Sequence, residues 1–286
     1  MTAKPRVTRP RSASRRTLPD LHTLYEASVQ GADYDLNFME RVYRRVNGRR
    51  FRLFREDFCG TALVAASWVL RRPENRAWGV DLDHDTLEWA RRHRVPRMRE
   101  RAKRLTLVEA DVRAVTRPQV DVIAAYNYSY WVFRERRDLL QYLRAARQSL
   151  RPGGLLFLSV YSGSEAQGTL VERKRVAASR SVDGDPVPPF TYVWEHRAFN
   201  VIDHHLIADI HFHLRDGRKI ERAFTYDWRM WTLPELRDAL SDAGFSRSLV
   251  HIEGWDEERD KPDDVLRRRT QFPNQEGWLG MLVGVA

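Results

Sequence analysis

The stretch FREDFCGTALVAA, residues 54–66, is the part of the chain that decides the fold. A short strand candidate, Phe51–Phe54, leads through the acidic pair Glu56 and Asp57 to a turn at Gly60, and a helix-forming run follows. A glycine between a strand and a helix lets a ligand approach the backbone, and free N–H groups at the next helix can receive it. A single turn glycine is common, however, so this loop alone is as typical of a plain turn as of a nucleotide-binding site.

The composition limits the class of protein. The chain has 286 residues and 42% hydrophobic content, which is enough for a substantial core. No apolar run approaches the ~18 residues of a membrane-spanning helix, so we predict a soluble protein with no membrane partner, the basic tail described below aside. Cys59 is the single cysteine, which excludes an intramolecular disulfide and a multi-cysteine metal site. Because no signal-peptide segment is recognisable either, we predict a cytoplasmic location.

The basic residues are unevenly distributed. Residues 1–19 contain no acid and supply six of the ten net positive charges. We predict that they form a disordered basic tail. Their Arg/Ser-rich, acid-free composition is similar to that of an organelle transit peptide, but Pro5 and Pro10 interrupt any amphipathic helix there. A nucleic-acid or membrane-surface role for the tail stays open.

Strand-like and helix-like segments alternate as far as Val160. The predicted strands are Phe51–Phe54, Ala77–Val80, Leu105–Glu109, Val120–Tyr126 and Leu155–Val160, and the predicted helices cover residues 35–46, 62–70, 85–93 and 134–150. This alternation predicts an α/β fold in which helices cover both faces of a mostly parallel sheet. Right-handed crossovers place all the strand C-termini at one edge, where open α/β sheets bind their ligands.

The later part of the chain has a different pattern. Residues 161–231 are predicted to form a β-rich lid or substrate insertion, with antiparallel strands at Thr191–Phe199, His204–Leu214 and Arg218–Trp228. A capping box at Thr232–Glu235 predicts a late helix. Two final strands, Ser248–Glu253 and Trp278–Val285, complete a domain that we predict over residues 20–286.

Polar residues follow four successive strands of the predicted sheet. Asp81 ends the second strand, Asp111 follows the third and Asn127 ends the fourth, so they should meet the Gly60 loop at one edge. This series resembles the class I S-adenosylmethionine-dependent methyltransferases over most of residues 50–286. The resemblance implies a Rossmann-like, mostly parallel seven-stranded sheet and S-adenosyl-L-methionine as the cofactor.

The resemblance also implies roles for individual residues. In that family the first loop reads acid-x-Gly-x-Gly-x-Gly, which aligns with Glu56–Ala62. Glu56 would then accept a hydrogen bond from the cofactor's amino group, Asp81 from both ribose hydroxyls and Asp111 from the adenine amino group. The cofactor-binding residues predicted in this way are Glu56, Phe58, Cys59, Gly60, Thr61, Asp81, Leu82, Asp111, Val112, Asn127, Tyr128 and, from the segment before the first strand, Tyr25.

The loop departs from the family pattern at two positions. Phe58 replaces the first glycine and Ala62 the third. One glycine suffices if the ligand crosses the backbone closely at one point only. Thr61 is predicted to cap the next helix, and either Asp81 or Asp111 taken alone can equally be a helix cap.

The sequence says less about the residues that contact the methyl acceptor than about those that bind the cofactor. The aromatic residues predicted to contact a substrate are Tyr130, Trp131, Tyr161, Trp194 and Trp228, although the insertion tryptophans can equally form its own core. Tyr128 and His211 are the candidate catalytic residues if the acceptor must lose a proton. The row between His204 and His213 could bind a divalent ion, but such a row is more often the polar face of a hairpin, so no metal is predicted. Cys59 is interpreted as a loop thiol rather than a nucleophile.

Three functions remain as hypotheses. The first is methyl transfer by in-line displacement to an unidentified acceptor, most plausibly a small molecule. The second is RNA methylation, with the tail and the helix within residues 88–103 engaging phosphates. The third, of another class, is a non-catalytic nucleic-acid-binding module that uses the basic tail.

Overall fold

The computed structural model describes residues 19–29, 31–256, 258 and 261–286. The predicted basic tail, except for Pro19, lies outside the described residues. Among the described helices none combines the length and the apolar character needed to cross a bilayer.

The helices surround a central sheet. In chain order the described α-helices are α1 (Leu21–Val29), α2 (Ala32–Asn47), α3 (Leu63–Arg71), α4 (His84–Trp89), α5 (Val95–Met98), α6 (Arg136–Ser149) and α7 (Leu233–Asp242). A π-helical turn, Ala90–Arg94, joins α4 to α5, and 3₁₀ turns occupy Arg99–Arg104, Ser129–Val132 and Glu165–Gln167.

The strands form one large and two smaller sheets. In chain order the described strands are β1 (Leu53–Asp57), β2 (Arg76–Asp81), β3 (Leu105–Glu109), β4 (Val120–Ala125), β5 (Leu150–Ser162), β6 (Leu170–Val176), β7 (Ser179–Arg180), β8 (Pro186–Val187), β9 (Phe190–Asn200), β10 (His205–Leu214), β11 (Lys219–Arg229), β12 (Arg247–Asp256), β13 (Lys261–Arg268) and β14 (Trp278–Val285). Strands β7 and β8 pair only with each other.

The large sheet has the order β13-β12-β14-β5-β4-β1-β2-β3. Its five strands β1 to β5 run parallel, and β14 pairs antiparallel to β5. The predicted mostly parallel architecture is therefore confirmed. The strand number is corrected from seven to eight, because β13 adds an edge strand. Its sequence, KPDDVLRR, carries too many charges to show an apolar alternation.

Two central strands position the cavity described below. Every residue of β4 is buried, as is nearly all of β1, and the two strands pair from Phe54 with Val122 to Asp57 with Ala125. The parallel register ends β1, β2 and β4 at one edge of the sheet. The loops that follow these strands therefore meet there.

The residues between β5 and α7 form a separate antiparallel sheet, ordered β11-β10-β9-β6. The three predicted strands are present, and β6 is an additional fourth. On one face of β10, Leu206 and Ala208 belong to the core cluster of the large sheet, and Ile210 packs in a second cluster with Leu24 of α1. Opposite them on β11, in the same face, stand Trp228, Tyr226 and Phe224.

Two helix starts test the predicted capping signals. Thr232 caps α7 and forms the predicted capping box with Glu235. The helix predicted to begin at residue 85 begins at His84 instead, and the Asp83 carboxylate caps it by accepting from the N–H of Thr86 at 2.8 Å. Asp83 is the capping residue because it directly precedes the first helical turn, whereas Asp85 lies inside that turn.

Candidate active site

A cavity of about 660 Å³ opens at the C-terminal edge of β1, β2 and β4. Strands, loops, helix α1 and the insertion all contribute to its wall. Its lining includes Tyr25, Asp35, Glu56, Phe58, Cys59, Gly60, Thr61, Asp81, Leu82, Asp111, Val112, Arg113, Tyr126, Asn127, Phe133, Asp138, Phe224, Tyr226 and Trp228. All the residues predicted to bind the cofactor, except Tyr128, therefore line this one cavity.

The loop after β1 repeats a left-handed backbone at alternate residues. Phe58, Gly60 and Ala62 have φ values of 56°, 50° and 55°. These are the three positions at which the family pattern has glycine. The left-handed region favours glycine, and a side chain there costs on the order of 1–3 kcal/mol. The backbone path of a three-glycine loop is thus kept, although two of its glycines are replaced.

The same conformation corrects the predicted role of Thr61. Ala62 precedes α3 as its N-cap residue, and it makes no side-chain capping hydrogen bond. The Thr61 hydroxyl instead donates a hydrogen bond to Glu26 of α1. Of the N–H groups in the first α3 turn, that of Ala65 donates to the carboxyl group of Glu56.

Asp81 holds the loop from the neighbouring strand. One oxygen of its carboxylate accepts from the N–H of Gly60 at 2.7 Å, and the other accepts from the N–H of Asp83 at 3.0 Å. A carboxylate has about four acceptor positions, so both oxygens can still accept from a ligand. Leu82, next in the chain, is exposed at the rim.

The acidic pair of β1 is split by strand alternation. Glu56 faces the cavity and Asp57 faces the opposite side of the sheet, where its oxygens lie 2.7 and 3.0 Å from the Arg55 guanidinium. Arg55 and Asp57 are both fully buried. Asp57 is therefore part of a buried ion pair, and only Glu56 belongs to the cavity.

Glu56 has an unusual protonation equilibrium. One carboxyl oxygen accepts from the N–H of Ala65 in α3 at 2.8 Å. Burial raises the pKa of Glu56 to about 8, against the opposing effects of that N–H and of the Arg94 charge. Asp35, at the start of α2, also faces the cavity, and burial raises its pKa to about 7. The sequence carries no signal for Asp35, since an acidic residue in a first helical turn is ordinary.

Helix α1 closes the cavity from the N-terminal side. The Tyr25 phenol accepts a hydrogen bond from the side-chain amide of Asn127 at 3.3 Å and bonds Tyr226 of the insertion. Glu26 of the same helix accepts from the Thr61 hydroxyl and from the guanidinium of Arg94. The helix is thereby tied to β4, to the loop after β1 and to the insertion.

Arg113 competes with the predicted adenine amino group for the carboxylate of Asp111. The Arg113 guanidinium donates to both oxygens of the Asp111 carboxylate, and its two hydrogen bonds to Oδ2 are 3.0 Å and 2.6 Å long. The backbone N–H of Arg113 also donates to Oδ1, at 2.8 Å. Hydrogen bonds from the Arg113 side chain lower the pKa of Asp111. Val112 is buried beside them. Asp111 lines the cavity, but most of its acceptor positions are occupied.

The predicted substrate aromatics divide into two groups. Trp228 lines the cavity. Tyr130 and Trp131 are completely buried in the core, and the Tyr130 hydroxyl donates to the carbonyl of Ser159 at 2.9 Å. Tyr161 and Trp194 lie outside the lining, on either side of the buried His196. These four predicted residues therefore do not line the cavity, and the rings of Tyr130 and Trp131 are used in core packing.

Both predicted catalytic candidates also point elsewhere. Tyr128 stacks on Trp131, with ring centroids 5.0 Å apart, and it is absent from the lining. His211 lies on the face of β10 opposite to Ala208 and Ile210, and its Nε2 lies 3.0 Å from Glu195. Strand alternation correctly separates the two faces of β10, but it does not indicate which face meets the cavity.

Several lining residues were missed from the sequence. Tyr126 directly follows β4, and its buried hydroxyl has no hydrogen-bond partner among the described residues. Phe224 and Tyr226 alternate along β11 with Trp228, the one aromatic residue of this strand that was predicted, and this period of two is the signal that indicates one shared face. Phe133 and Arg113 come from the loops after β4 and β3, which the fold does place at this edge.

Comparisons with known proteins agree with this arrangement. Residues 59–156 match the family model described as a methyltransferase domain. No curated protein matched the chain. Among solved structures, the chain is similar to an S-adenosylmethionine-dependent methyltransferase from Clostridium acetobutylicum, with 17% identity over 91% of this chain and 94% of the other and a TM-score of 0.59.

Two further similar structures are named as methyltransferases of sugars. One is CalS10, an amino pentose methyltransferase from Micromonospora echinaspora, with 15% identity over 92% of this chain and 95% of the other and a TM-score of 0.63. The other is the sugar N-methyltransferase KedS8 from Streptoalloteichus, with 16% identity over 99% of each chain and a TM-score of 0.61. Identities this low establish a common fold. Residues 59–156 are thus a methyltransferase domain, and the chain is an enzyme with the fold of the class I S-adenosylmethionine-dependent methyltransferases.

Proposed function

We propose that this enzyme transfers a methyl group from S-adenosyl-L-methionine to a small-molecule acceptor, by in-line displacement within the cavity described above. The observation that carries the proposal is that Glu56, Gly60 and Asp81 line one cavity at the end of β1 and β2. They are the positions to which the resemblance assigns the amino group, the backbone crossing and the ribose of the cofactor.

The chemistry of the cavity wall fits this cofactor. The carboxylate of Asp81 keeps free acceptor positions for a pair of ribose hydroxyls. Glu56 and Asp35 offer carboxyl groups to the cationic amino group, and binding of that cation favours their ionised forms. The buried Tyr126 hydroxyl, which lacks a protein partner, has room for a ligand atom.

The cofactor supplies an activated methyl group, so the protein's residues have mainly a positioning task. The loop from Phe58 to Ala62 and Asp81 orient the donor. Tyr25 and Tyr226 close the cavity from two sides and exclude water. Their phenols, with Asn127, would align the acceptor behind the methyl group, where closeness and orientation decide the rate.

The acceptor wall favours an amine. The aromatic rings of Tyr25, Tyr226 and Trp228 can stabilise a positive charge through their faces. The carboxyl groups in the lining outnumber the basic groups His22 and Arg113, so a cationic small molecule is attracted and a polyanion is repelled. The amino pentose and sugar N-methylation named for two similar structures supports this choice of acceptor class.

The proposal also covers the role of the insertion within residues 161–231 and the cellular compartment of the protein. We assign the insertion to the lid and acceptor wall, because β11 supplies Phe224, Tyr226 and Trp228 to the lining. The cytoplasm is the proposed setting for a chain with one buried thiol. The comparisons do not support RNA methylation or a non-catalytic nucleic-acid-binding module.

Two measurements test this function. Calorimetric titration of S-adenosyl-L-methionine into the wild type should give micromolar binding that Asp81→Ala abolishes or weakens by about tenfold or more. Asp203→Ala, outside the cavity lining, is the control. Transfer of a labelled methyl group should then occur to members of an amino sugar panel and not to their hydroxyl analogues or to RNA. A folded wild type that does not bind the cofactor would contradict the proposal.

A further inference from the structure

A second concavity lies between α2 and the β12–β13 ladder, on a different part of the molecule. It has a volume of about 580 Å³ and shares no lining residue with the active-site cavity. We call it the arginine groove; its lining is Arg41, Val42, Arg45, Val46, Arg247, Leu249, His251, Val265, Leu266, Arg267 and Arg268.

The groove concentrates positive charge without an acidic residue in its wall. The side chains of Arg45, Arg247 and Arg268 are exposed, and no ion pair joins them to a carboxylate among the described residues. Arg41 donates to the backbone carbonyl of Leu266 at 3.5 Å and lies over the ring of Phe38 at 5.4 Å, and no carboxylate pairs with it among the described residues. Arg267 is the exception, since Asp263 lies 2.5 Å from it. Guanidinium groups left unpaired around one concavity favour an anionic ligand.

His251 is the second observation that points to a ligand. It lines the groove with only 6% of its surface exposed, and its Nδ1 has no hydrogen-bond partner within the described part of the chain. Its ring packs edge-on against Phe38 at 5.2 Å, which fixes its orientation. Burial, and then the charges of Arg268 and Arg41, lower the pKa of His251 to about 4. The neutral ring therefore has one N–H to donate at neutral pH.

We propose that the arginine groove binds the phosphate groups of a small polyphosphate, of the nucleoside di- or triphosphate class. The planar fork of arginine matches two phosphate oxygens at once, so Arg45 and Arg268 can each bind bidentately. His251 donates from the base of the groove, which satisfies a buried polar atom. Val46 and Leu249 offer apolar surface to the part of the ligand that carries no phosphate. The groove's volume lies within the usual ~300–1,000 Å³ of small-molecule sites.

A small ligand is favoured over a nucleic-acid strand. The turn end of the β12–β13 ladder carries three acidic residues, Glu253, Asp263 and Asp264. Burial, and then the negative charges of Asp264 and Asp263, raise the pKa of Glu253. A long polyanion that left the groove on that side would meet this negative charge. The proposal concerns a separate site and does not depend on the methyl-transfer assignment.

The test is a calorimetric titration of the full chain with inorganic pyrophosphate and, separately, with ATP. We expect both to bind the wild type. Arg45→Gln combined with Arg268→Gln should raise the Kd by about tenfold or more, because two charge-assisted contacts are lost. His251→Phe keeps the packing against Phe38, removes the ring N–H, and should raise the Kd severalfold. Thermal unfolding of each variant checks that it is folded.

A matched control separates the groove from general charge. Arg173→Gln combined with Arg175→Gln removes the same charge from exposed positions on β6 and leaves residues 1–18 unchanged. It should leave the Kd within about twofold of the wild type. Equal weakening by both double variants, or no binding of either probe by the wild type, would overturn the proposal. Groove-dependent binding of a single-stranded RNA without pyrophosphate binding would assign the groove to nucleic acid instead.

Discussion

The side-chain amide of Asn127 lies 3.3 Å from the phenol oxygen of Tyr25, and this contact joins the end of β4 to a helix near the start of the chain. Asn127 has a left-handed backbone, with φ of 51°, and so has Tyr128 after it, with φ of 58°. Two such residues in sequence turn the Asn127 amide toward the cavity and the Tyr128 ring toward the core. The strain is stored where the methyl donor is proposed to bind.

The first prediction concerns this contact. Tyr25→Phe removes a hydroxyl that bonds both Asn127 and Tyr226, and it keeps the ring against Phe224. We expect S-adenosyl-L-methionine to bind about 5- to 30-fold more weakly, since about 1–2 kcal/mol of lid contacts are lost. Calorimetry measures the effect. Tyr34→Phe, on α2 and outside the lining, should leave the Kd unchanged, and a similar loss in both variants would contradict the role of the lid.

The second prediction concerns the left-handed loop. Ala62→Gly relieves the strain of a Cβ at φ of 55°, so the free energy of unfolding should stay level or rise by up to about 1 kcal/mol. Ala66→Gly, four residues later inside α3, should lower it by about 1 kcal/mol or more. Urea denaturation measures both. Equal destabilisation would show that the Ala62 conformation is unstrained.

The third prediction concerns pH. Burial raises the pKa of Glu56 to about 8 in the folded protein, from an ordinary value of 4.5. The folded protein therefore holds this proton more tightly than the unfolded chain. The free energy of unfolding should be highest, as far as this group contributes, below pH ~4.5, and it should fall as the pH rises toward ~8.

Denaturation curves measured across that range check the direction. Glu56→Gln removes the titrating group, so the variant should gain stability relative to the wild type as the pH rises. Glu74→Gln, at an exposed position, is the matched control and should follow the wild type. A Glu56→Gln difference that does not change with pH would contradict the raised pKa.

The fourth prediction concerns the packing under the loop. A Cβ at Gly79 of β2 would lie 2.9 Å from the Sγ of Cys59 and 3.2 Å from a methyl carbon of Leu107. Gly79→Ala should therefore destabilise the protein by about 1–3 kcal/mol. Adding Cys59→Ala should restore part of that loss, because it removes the nearest atom. Additive losses in the double variant would show that Cys59 and position 79 do not compete for space.

Local patterns predicted the fold better than they predicted the site. The apolar run of β4 and the Gly60 loop indicated a parallel sheet, and the structure has one. Strands β6 and β13 were missed because edge strands rich in charge have no apolar alternation. The eight-stranded sheet thus exceeds the predicted seven for a reason that periodicity cannot detect.

The site residues show where sequence reasoning ends. Glu56 and Asp81 lie at the C-terminal ends of β1 and β2, so topology alone brings them together. Asp35 joins them only through the packing of α2, and Arg113 occupies Asp111 only through a local loop conformation. His211 and Tyr128 were expected at the cavity because their side chains can move protons. The orientation of the insertion sheet and the left-handed turn at Asn127 decide otherwise.

The wall formed by Tyr25 and Tyr226 joins a segment made early in synthesis to one made late. Until β11 has emerged and paired, α1 has nothing to close against on that side. A nascent chain that already contains the loop after β1 therefore still has an open cavity. A chain that retains the cofactor must therefore have folded both α1 and β11 onto the cavity. A truncated product that keeps only residues 59–156 would still match the methyltransferase domain but would lack the closed site.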